Sequence, residues 1–220
     1  MGRAMNSGKE SQRAKTAPSA PEDLTPRGTQ RRVALMEAAL RIIVRDGPGA
    51  VTLRSVVAEA KASHGSVAYY FGSREDLVGE TLIYIADRNI KALEEAWVDI
   101  EKNATDPATV AAMIARHSTR RMVEDRGMGI TIIELHLASA RYEALRPALR
   151  EWGRAYTQIA SKTLLRLGSK RPEADAALLV GIVNGHVVSQ LALPKKNFEH
   201  DVLRPSLEEF LNAIQANTKK

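Results

Sequence analysis

The sequence predicts an all-α protein, with a small N-terminal three-helix module followed by a larger helical bundle. Beyond residue 26, apolar residues recur every three or four positions, the spacing of a helix with one buried face. No convincing period-two alternation appears, and Gly or Pro signals separate the helical stretches. No unit of roughly 20 to 50 residues repeats, so a solenoid is not expected.

A chain of 220 residues with 44% hydrophobic and 26% charged residues can bury a sizeable core. Its formal net charge of +6 permits binding to nucleic acid or to an anionic surface and chooses neither. The chain has no cysteine, which excludes disulfides and thiolate metal sites and fits the cytoplasm. No cofactor is expected. Residues 1–26 are polar, with Pro18, Pro21 and Pro26, and carry no apolar stretch of a secretory signal. They read as a disordered basic arm, either a passive terminus or an arm that touches phosphates.

The first helix is expected over residues 29–46. Val33, Met36, Leu40, Ile43 and Val44 share one face there, and Gly47 and Pro48 end it. Thr52 is placed to cap a short second helix with Leu53, Val56 and Val57 on its apolar face. Ser63 starts a short third helix, its hydroxyl free to accept from the amides of the next turn. Ser73 caps a long fourth helix that runs to about residue 102, with Glu75 and Asp76 suited to its positive end. Further helices are read over 106–125, 130–168, 171–193 and 203–217. Asp106-Pro107 and Arg171-Pro172 look like helix starts, and Pro147 should break or kink the second of these.

The stretch 176–193 is the best candidate for a membrane span. Asn184, His186, Ser189 and Gln190 interrupt it, so a buried or interface helix is expected and no membrane partner.

Two short helices at a sharp angle, the second opening on Ser63, describe a helix-turn-helix over about residues 52–71, whose second helix lies in the major groove. Gly65 and Ser66 keep its first turn thin enough for close approach to DNA, and exposed amides there can meet a phosphate. Gly47, Thr52, Val56, Ala60, Ser63, Gly65, Val67, Tyr70, Phe71, Ser73, Arg74, Glu75 and Leu77 stand in the order and spacing of the DNA-binding region of the TetR family of bacterial transcriptional regulators. The chain resembles that family over roughly residues 27–85, most specifically in "YYFGSREDL". The resemblance implies a DNA-binding domain over 27–73 and an effector-binding and dimerisation domain over 74–220. It implies a homodimer on a double-stranded DNA operator, an unidentified small-molecule effector, and repression as the commoner role.

Two departures stand out. Lys61 occupies the turn where the family usually has Gly, and must tolerate positive φ or shift the turn, at a cost of about 1 kcal/mol. Ala68 replaces a usual Tyr, removing one phosphate contact common in the family.

Thr52 and Arg54 are read as phosphate contacts, with Thr52 equally readable as a cap and nothing more. His64, Ser66 and Tyr69 are the candidates for base-edge or nearby contacts, His64 being alternatively a merely exposed side chain. Tyr70 can give its hydroxyl to a phosphate while its ring covers the module. Val67 and Phe71 should face the core with Leu53 and Val56. Ser73 and Arg74 can offer amide and guanidinium to the backbone across the groove.

In the bundle, Ala177, Gly181, Gly185 and Ser189 recur every four residues and form a flat strip for a second helix, either of the dimer partner or of the same subunit. Met113, His117, Met122, Met128, Ile132, His136, Trp152, Tyr156, Asn184 and Gln190 lie on the helices that enclose a pocket in the resembling family. Each is readable as a ligand contact or as plain core. An effector that prefers a conformation with the wrong half-site separation would release the dimer, the fourth helix acting as lever between domains.

Catalysis has little to rest on. His117, Glu134 and His136 could be imagined as an acid-base or metal cluster, but Glu134 and His136 are two apart on a helix and point in different directions. No metal site is expected. The remaining alternative is a nonspecific or architectural nucleic-acid-binding helical protein.

Overall fold

The computed structural model describes residues 24–103 and 106–218; residues 1–23, and with them nearly all of the expected N-terminal arm, lie outside that description, as do the side chains of His64, Asn217 and Thr218. The described chain is helical, as expected, with no strand among the described residues.

Helix α1 (Pro26–Asp46) starts three residues earlier than the apolar spacing indicates. Pro26 supplies the first helical position, and the Thr25 hydroxyl accepts from the Gly28 N–H at 3.2 Å. Its buried face is centred on Leu35, Met36, Ala39, Ile42 and Ile43, because α1 is packed by the second helix, the fourth and the sixth. Val33, Leu40 and Val44 flank that stripe, half-buried. Gly47, at φ +83°, ends the helix and returns its N–H to the Ile43 carbonyl.

Helix α2 (Leu53–Ala60) and helix α3 (His64–Tyr70) are joined through Lys61, which takes the left-handed conformation (φ 51°, ψ 40°) that its place in the turn demands. The Ala62 N–H closes the turn on the Val57 carbonyl at 3.0 Å. Helix α4 (Arg74–Asn103) opens on Ser73, whose hydroxyl accepts from the Asp76 N–H and donates to the Asp76 carboxylate. At 30 residues it is about 45 Å long. Its buried side runs from Leu77 through Leu82, Ile85 and Leu93 to Trp97 and Ile100.

Helix α5 (Pro107–Ser118) is capped by Asp106. The expected helix over 106–125 does not continue uniformly: Thr119–Glu124 widens into a π-helical segment before helix α6 (Arg126–Arg141). Gly129 permits this crossing, because a Cβ there would lie 2.0 Å from the Met122 carbonyl oxygen. The long helix expected over 130–168 is interrupted, as Pro147 requires, with the break at Tyr142–Leu145; Pro147 falls in the first turn of helix α7 (Arg146–Arg166). Helix α8 (Pro172–Ala192) packs most extensively on α7. Helix α9 (Arg204–Thr218) packs on α5. One continuous apolar core joins the front module to the bundle.

By length and hydropathy alone α8 could cross a membrane. In the fold its apolar side chains have two destinations. Leu179, Val183, Val187 and Leu191 enter the core, while Leu178 and Val188 remain on the outer side.

Candidate nucleic-acid interface and bundle cavity

The start of α2 is built by a reciprocal cap. The Thr52 hydroxyl accepts from the Ser55 N–H at 2.9 Å, and the Ser55 hydroxyl accepts from the Thr52 N–H at 2.8 Å. Ser55 also lies 3.0 Å from the Ala50 carbonyl, tying the cap to the preceding turn. This residue was not legible as functional, since capping boxes usually carry Glu or Gln at that place. Thr52 is thus a cap, and its exposed position leaves a phosphate role open.

Helix α3 differs from expectation at its N-cap. Ser63 makes no side-chain cap to a backbone amide; its hydroxyl lies 2.8 Å from that of Ser66. The two short hydroxyls satisfy each other. Gly65 is exposed, with nothing within 4 Å of where a Cβ would stand. Val67 and Phe71 are fully buried and fix the helix to the module, as the four-residue spacing indicates. Tyr69 is 64% exposed, whereas Tyr70 is half-buried against the core. Their rings meet edge to face with centroids 5.0 Å apart. The His64 side chain lies outside the described residues.

Arg74, read from the sequence as a donor to the DNA backbone, has intramolecular partners in the structure. Its guanidinium turns inward: Nε donates to the Val51 carbonyl at 2.6 Å and a terminal nitrogen donates to the Pro48 carbonyl at 2.7 Å. With its donors held there, Arg74 joins the start of α4 to the turn that launches α2. The Val51 carbonyl takes its donor from Arg74, and the Pro48 carbonyl, which already accepts from the Val51 N–H within the turn, takes a second one.

The module's other cations divide into two sets. Arg32 pairs with Glu80 across α1 and α4, and Arg41 and Arg45 share Glu59, whose carboxyl is held below its usual range by their hydrogen bonds. Arg27, Arg31, Arg54 and Lys61 are exposed and form no ion pair among the described residues. These unpaired charges are what an approaching polyanion would meet.

In the bundle, α4, α5, α7 and α8 enclose a cavity with about 510 Å³ of space between atoms, part of it open to solvent. It is narrow, since the centre of a water molecule has only about 30 Å³ in which to move. His117, Met122, Tyr156 and Asn184 line it, four of the ten candidates. Leu93, Trp97, Ile114 and Arg121 complete the main walls.

The other six candidates are placed elsewhere. Met128, Ile132 and Trp152 are buried core, and Met113 packs half-buried against it. His136 is exposed, with Nδ1 2.8 Å from the Ile132 carbonyl, and its ring meets Trp152 edge to face. Trp152 in turn backs the Tyr156 ring, centroids 4.4 Å apart. Gln190 is spent on the backbone N–H and carbonyl of Lys195, closing the turn after α8.

Polar groups at the cavity are positioned from behind. The Asn89 amide donates to the Tyr156 hydroxyl at 3.0 Å, leaving the phenolic proton available. The Trp97 indole N–H donates to Thr163 at 3.0 Å, which fixes the ring against the cavity. Burial pushes His117 down to about 4, with the charges of Arg121 and Arg120 adding to the effect. Burial raises the Tyr156 hydroxyl well above its ordinary value.

Arg121 is the residue that sequence reasoning missed. Side by side with Arg120 it reads as part of a solvated charged face, yet its spacing of four from His117 placed both on one side of the helix.

A wider cleft of about 1070 Å³, also partly open, lies between the module and the bundle. Glu75, Asp76, Glu80 and Glu134 reach it. The first three are engaged by Arg74, Ser73 and Arg32, respectively. Glu134 faces this cleft while His117 faces the other cavity, so the imagined His117, Glu134 and His136 cluster is not assembled. No group of three potential metal ligands occurs among the described residues.

The strip on α8 faces outward. Ala177, Gly181, Gly185 and Ser189 are all exposed, and a Cβ at either glycine would touch nothing within 4 Å. It does not pack inside its own subunit.

A helix-turn-helix module fused to an all-helical bundle with an internal cavity defines a class of DNA-binding regulators, and comparison with known proteins places the chain within it. Residues 35–81 match the model described as "Bacterial regulatory proteins, tetR family", and residues 105–215 match "Tetracyclin repressor-like, C-terminal domain". The chain belongs to the TetR family.

An HTH-type transcriptional repressor of Mycobacterium tuberculosis is 31% identical over 41% of this chain, which spans half the length of that relative. The HTH-type nicotine-responsive transcriptional repressor HdnoR of Paenarthrobacter nicotinovorans is 22% identical over 84% of this chain and 95% of its own. Among solved structures, a transcriptional regulator from Rhodococcus sp. Rha1 superposes with a TM-score of 0.71 at 18% identity, covering 86% of this chain and 98% of that one. The multidrug binding protein EbrR complexed with ethidium gives 0.62 at 23%, covering 84% and 98%. These two likenesses concern the fold.

Proposed function

We propose that this protein is a cytoplasmic transcriptional repressor that binds its operator as a homodimer and leaves it when a small molecule enters the cavity between α4, α5, α7 and α8. The observation that carries this reading is the continuity of α4. At its first residue, Arg74 holds the turn that launches α2; further along, Leu93 and Trp97 form part of the cavity wall. A cavity this narrow must widen to admit an effector, and widening it displaces the helix to which the DNA-binding module is anchored. Differential affinity for the widened form then shifts the population, typically by about 1–3 kcal/mol.

The proposed DNA face comprises α3 with His64, Gly65, Ser66 and Tyr69, the Thr52 and Arg54 end of α2, and the start of α4. Exposed Tyr69, and Arg54 with no ion pair among the described residues, support it. Ser63 and Tyr70 support α3 from its start and its flank. The exposed strip on α8 supports dimerisation, and a two-fold dimer would set the two recognition helices about 34 Å apart or more. Repression in the M. tuberculosis relative and nicotine response in HdnoR are consistent with the same arrangement here.

The test is a footprint of the purified protein on the region upstream of its own operon, at physiological salt, with and without candidate small molecules. A two-fold symmetric footprint, at least about 10³-fold tighter than binding to random DNA and lost on adding an effector, is expected. Equal affinity for random DNA would favour an architectural protein instead.

A further inference from the structure

The charge of the cavity identifies the class of molecule it takes, an inference that rests on the cavity being the effector site. Arg121 lines it with its Nε buried, and among the described residues that nitrogen has no hydrogen-bond partner and the guanidinium no ion pair. Arg32 also has a buried Nε without a partner, but its charge is answered by Glu80. No Asp or Glu lines the cavity among the described residues.

The other polar groups in the wall add no charge. His117 is neutral at pH 7, and the Tyr156 phenol keeps its proton, which Asn89 leaves free to donate. Asn184 contributes an amide. The wall thus presents one unanswered positive charge beside neutral donors, set among Leu93, Trp97, Ile114 and Val183. A partly buried cation without a counter-ion is costly, and a ligand that brings a negative charge removes that cost.

We propose that the effector is a monoanionic small molecule, a carboxylic acid with an apolar body, whose carboxylate pairs with Arg121 while its body lies against Trp97, Leu93 and Ile114. The planar guanidinium fork matches a carboxylate. A cationic dye such as the ethidium bound by EbrR would meet like charge here.

The full chain is titrated by tryptophan fluorescence and by thermal shift with matched pairs: benzoate and benzamide, phenylacetate and phenylacetamide, octanoate and octanamide, with ethidium alongside. Each carboxylate that binds should do so about tenfold or more tightly than its neutral amide, the effect of one charge-assisted bidentate contact. In Arg121→Gln the ratio should fall to about one, and in Arg120→Gln, at an exposed neighbour, it should persist. Should Arg121→Gln fail to fold, the matched pairs on the wild-type chain still decide. Amides or ethidium binding as tightly as the carboxylates, a preference that survives Arg121→Gln, or no carboxylate binding at millimolar concentration would each overturn the proposal. Retention on operator DNA is measured in parallel. Carboxylates that bind without releasing DNA would remove the effector reading and leave the anion assignment standing, whereas release by amides as readily as by acids would do the reverse.

Discussion

The Arg74 guanidinium reaches back across the module to the Val51 carbonyl, 2.6 Å from Nε, and so makes the first turn of α4 part of the support of α2. Its partner contact to Pro48 means that both ends of the turn between α1 and α2 are held by one side chain.

Replacing Arg74 with Gln should therefore lower folding stability by about 1–3 kcal/mol, because two charged hydrogen bonds are lost and the Val51 carbonyl is left short of a donor, while Pro48 keeps the Val51 N–H. DNA binding should weaken with little change in its salt dependence, since no phosphate contact disappears. Urea denaturation and the slope of log affinity against log salt measure the two effects. A slope that flattens as a phosphate contact requires would show that the guanidinium reaches DNA after all.

Arg54→Ala provides the contrast. Arg54 is exposed and unpaired among the described residues, so its loss should leave stability within about 0.5 kcal/mol. Affinity should fall nearly uniformly across DNA sequences, and the salt slope should drop by about one phosphate equivalent per protomer. His64→Ala should instead change base preference, measured by binding to a panel of operator variants.

Gly129→Ala should be among the most damaging small changes in the bundle. Its new methyl would stand 2.0 Å from the Met122 carbonyl oxygen and 2.9 Å from Leu191 Cδ1; the Leu191 side chain can turn aside, but the Met122 backbone cannot yield without moving the π-helical segment or α6. A loss of about 2 kcal/mol or more is expected, read as a fall in denaturation midpoint.

The α8 strip separates assembly from folding. Gly185→Glu meets open space in the protomer, so its helical content should be kept, while light scattering should show a shift from dimer to monomer. A dimer that survives this change would place the interface elsewhere.

His117 should make stability depend on pH in the acid range. The unfolded residue protonates near 6.5 and the folded one near 4, so the folded chain binds fewer protons between those values. The stabilisation is fully present above about 6.5, declines as pH falls towards 4, and changes no further below that. The difference amounts to roughly 3 kcal/mol, and His117→Gln should remove that part of the slope in denaturation at pH 5 and pH 7.

Local signals were legible where one residue decides the outcome. Gly47 and Lys61 mark turns that need a left-handed backbone, Ser73 and Asp106 cap helices, and Pro147 forbids one long helix. The buried pair Val67 and Phe71 followed from spacing alone. Roles that depend on where a long side chain turns were not legible. Arg74 could have faced outward from the same backbone position; its donors go instead to the carbonyls of Val51 and Pro48. Ser63 had a better partner in Ser66 than in any amide. The cavity depended on which faces of four helices converge, and apolar periodicity marks a buried face without telling core from cavity; hence Met128, Ile132 and Trp152 proved to be core.

The π-helical segment Thr119–Glu124 gives the cavity a hereditary handle. Each π turn holds about one residue more than an α turn, so deleting a single codon there would restore the α register within the segment and change which of its side chains meets the cavity. Such a deletion would exchange Arg121 for a neighbour at the cavity wall, while the caps at Asp106 and Asp125 kept the flanking helices in place. A lineage could change the chemistry it senses in one step and leave its DNA-binding module untouched.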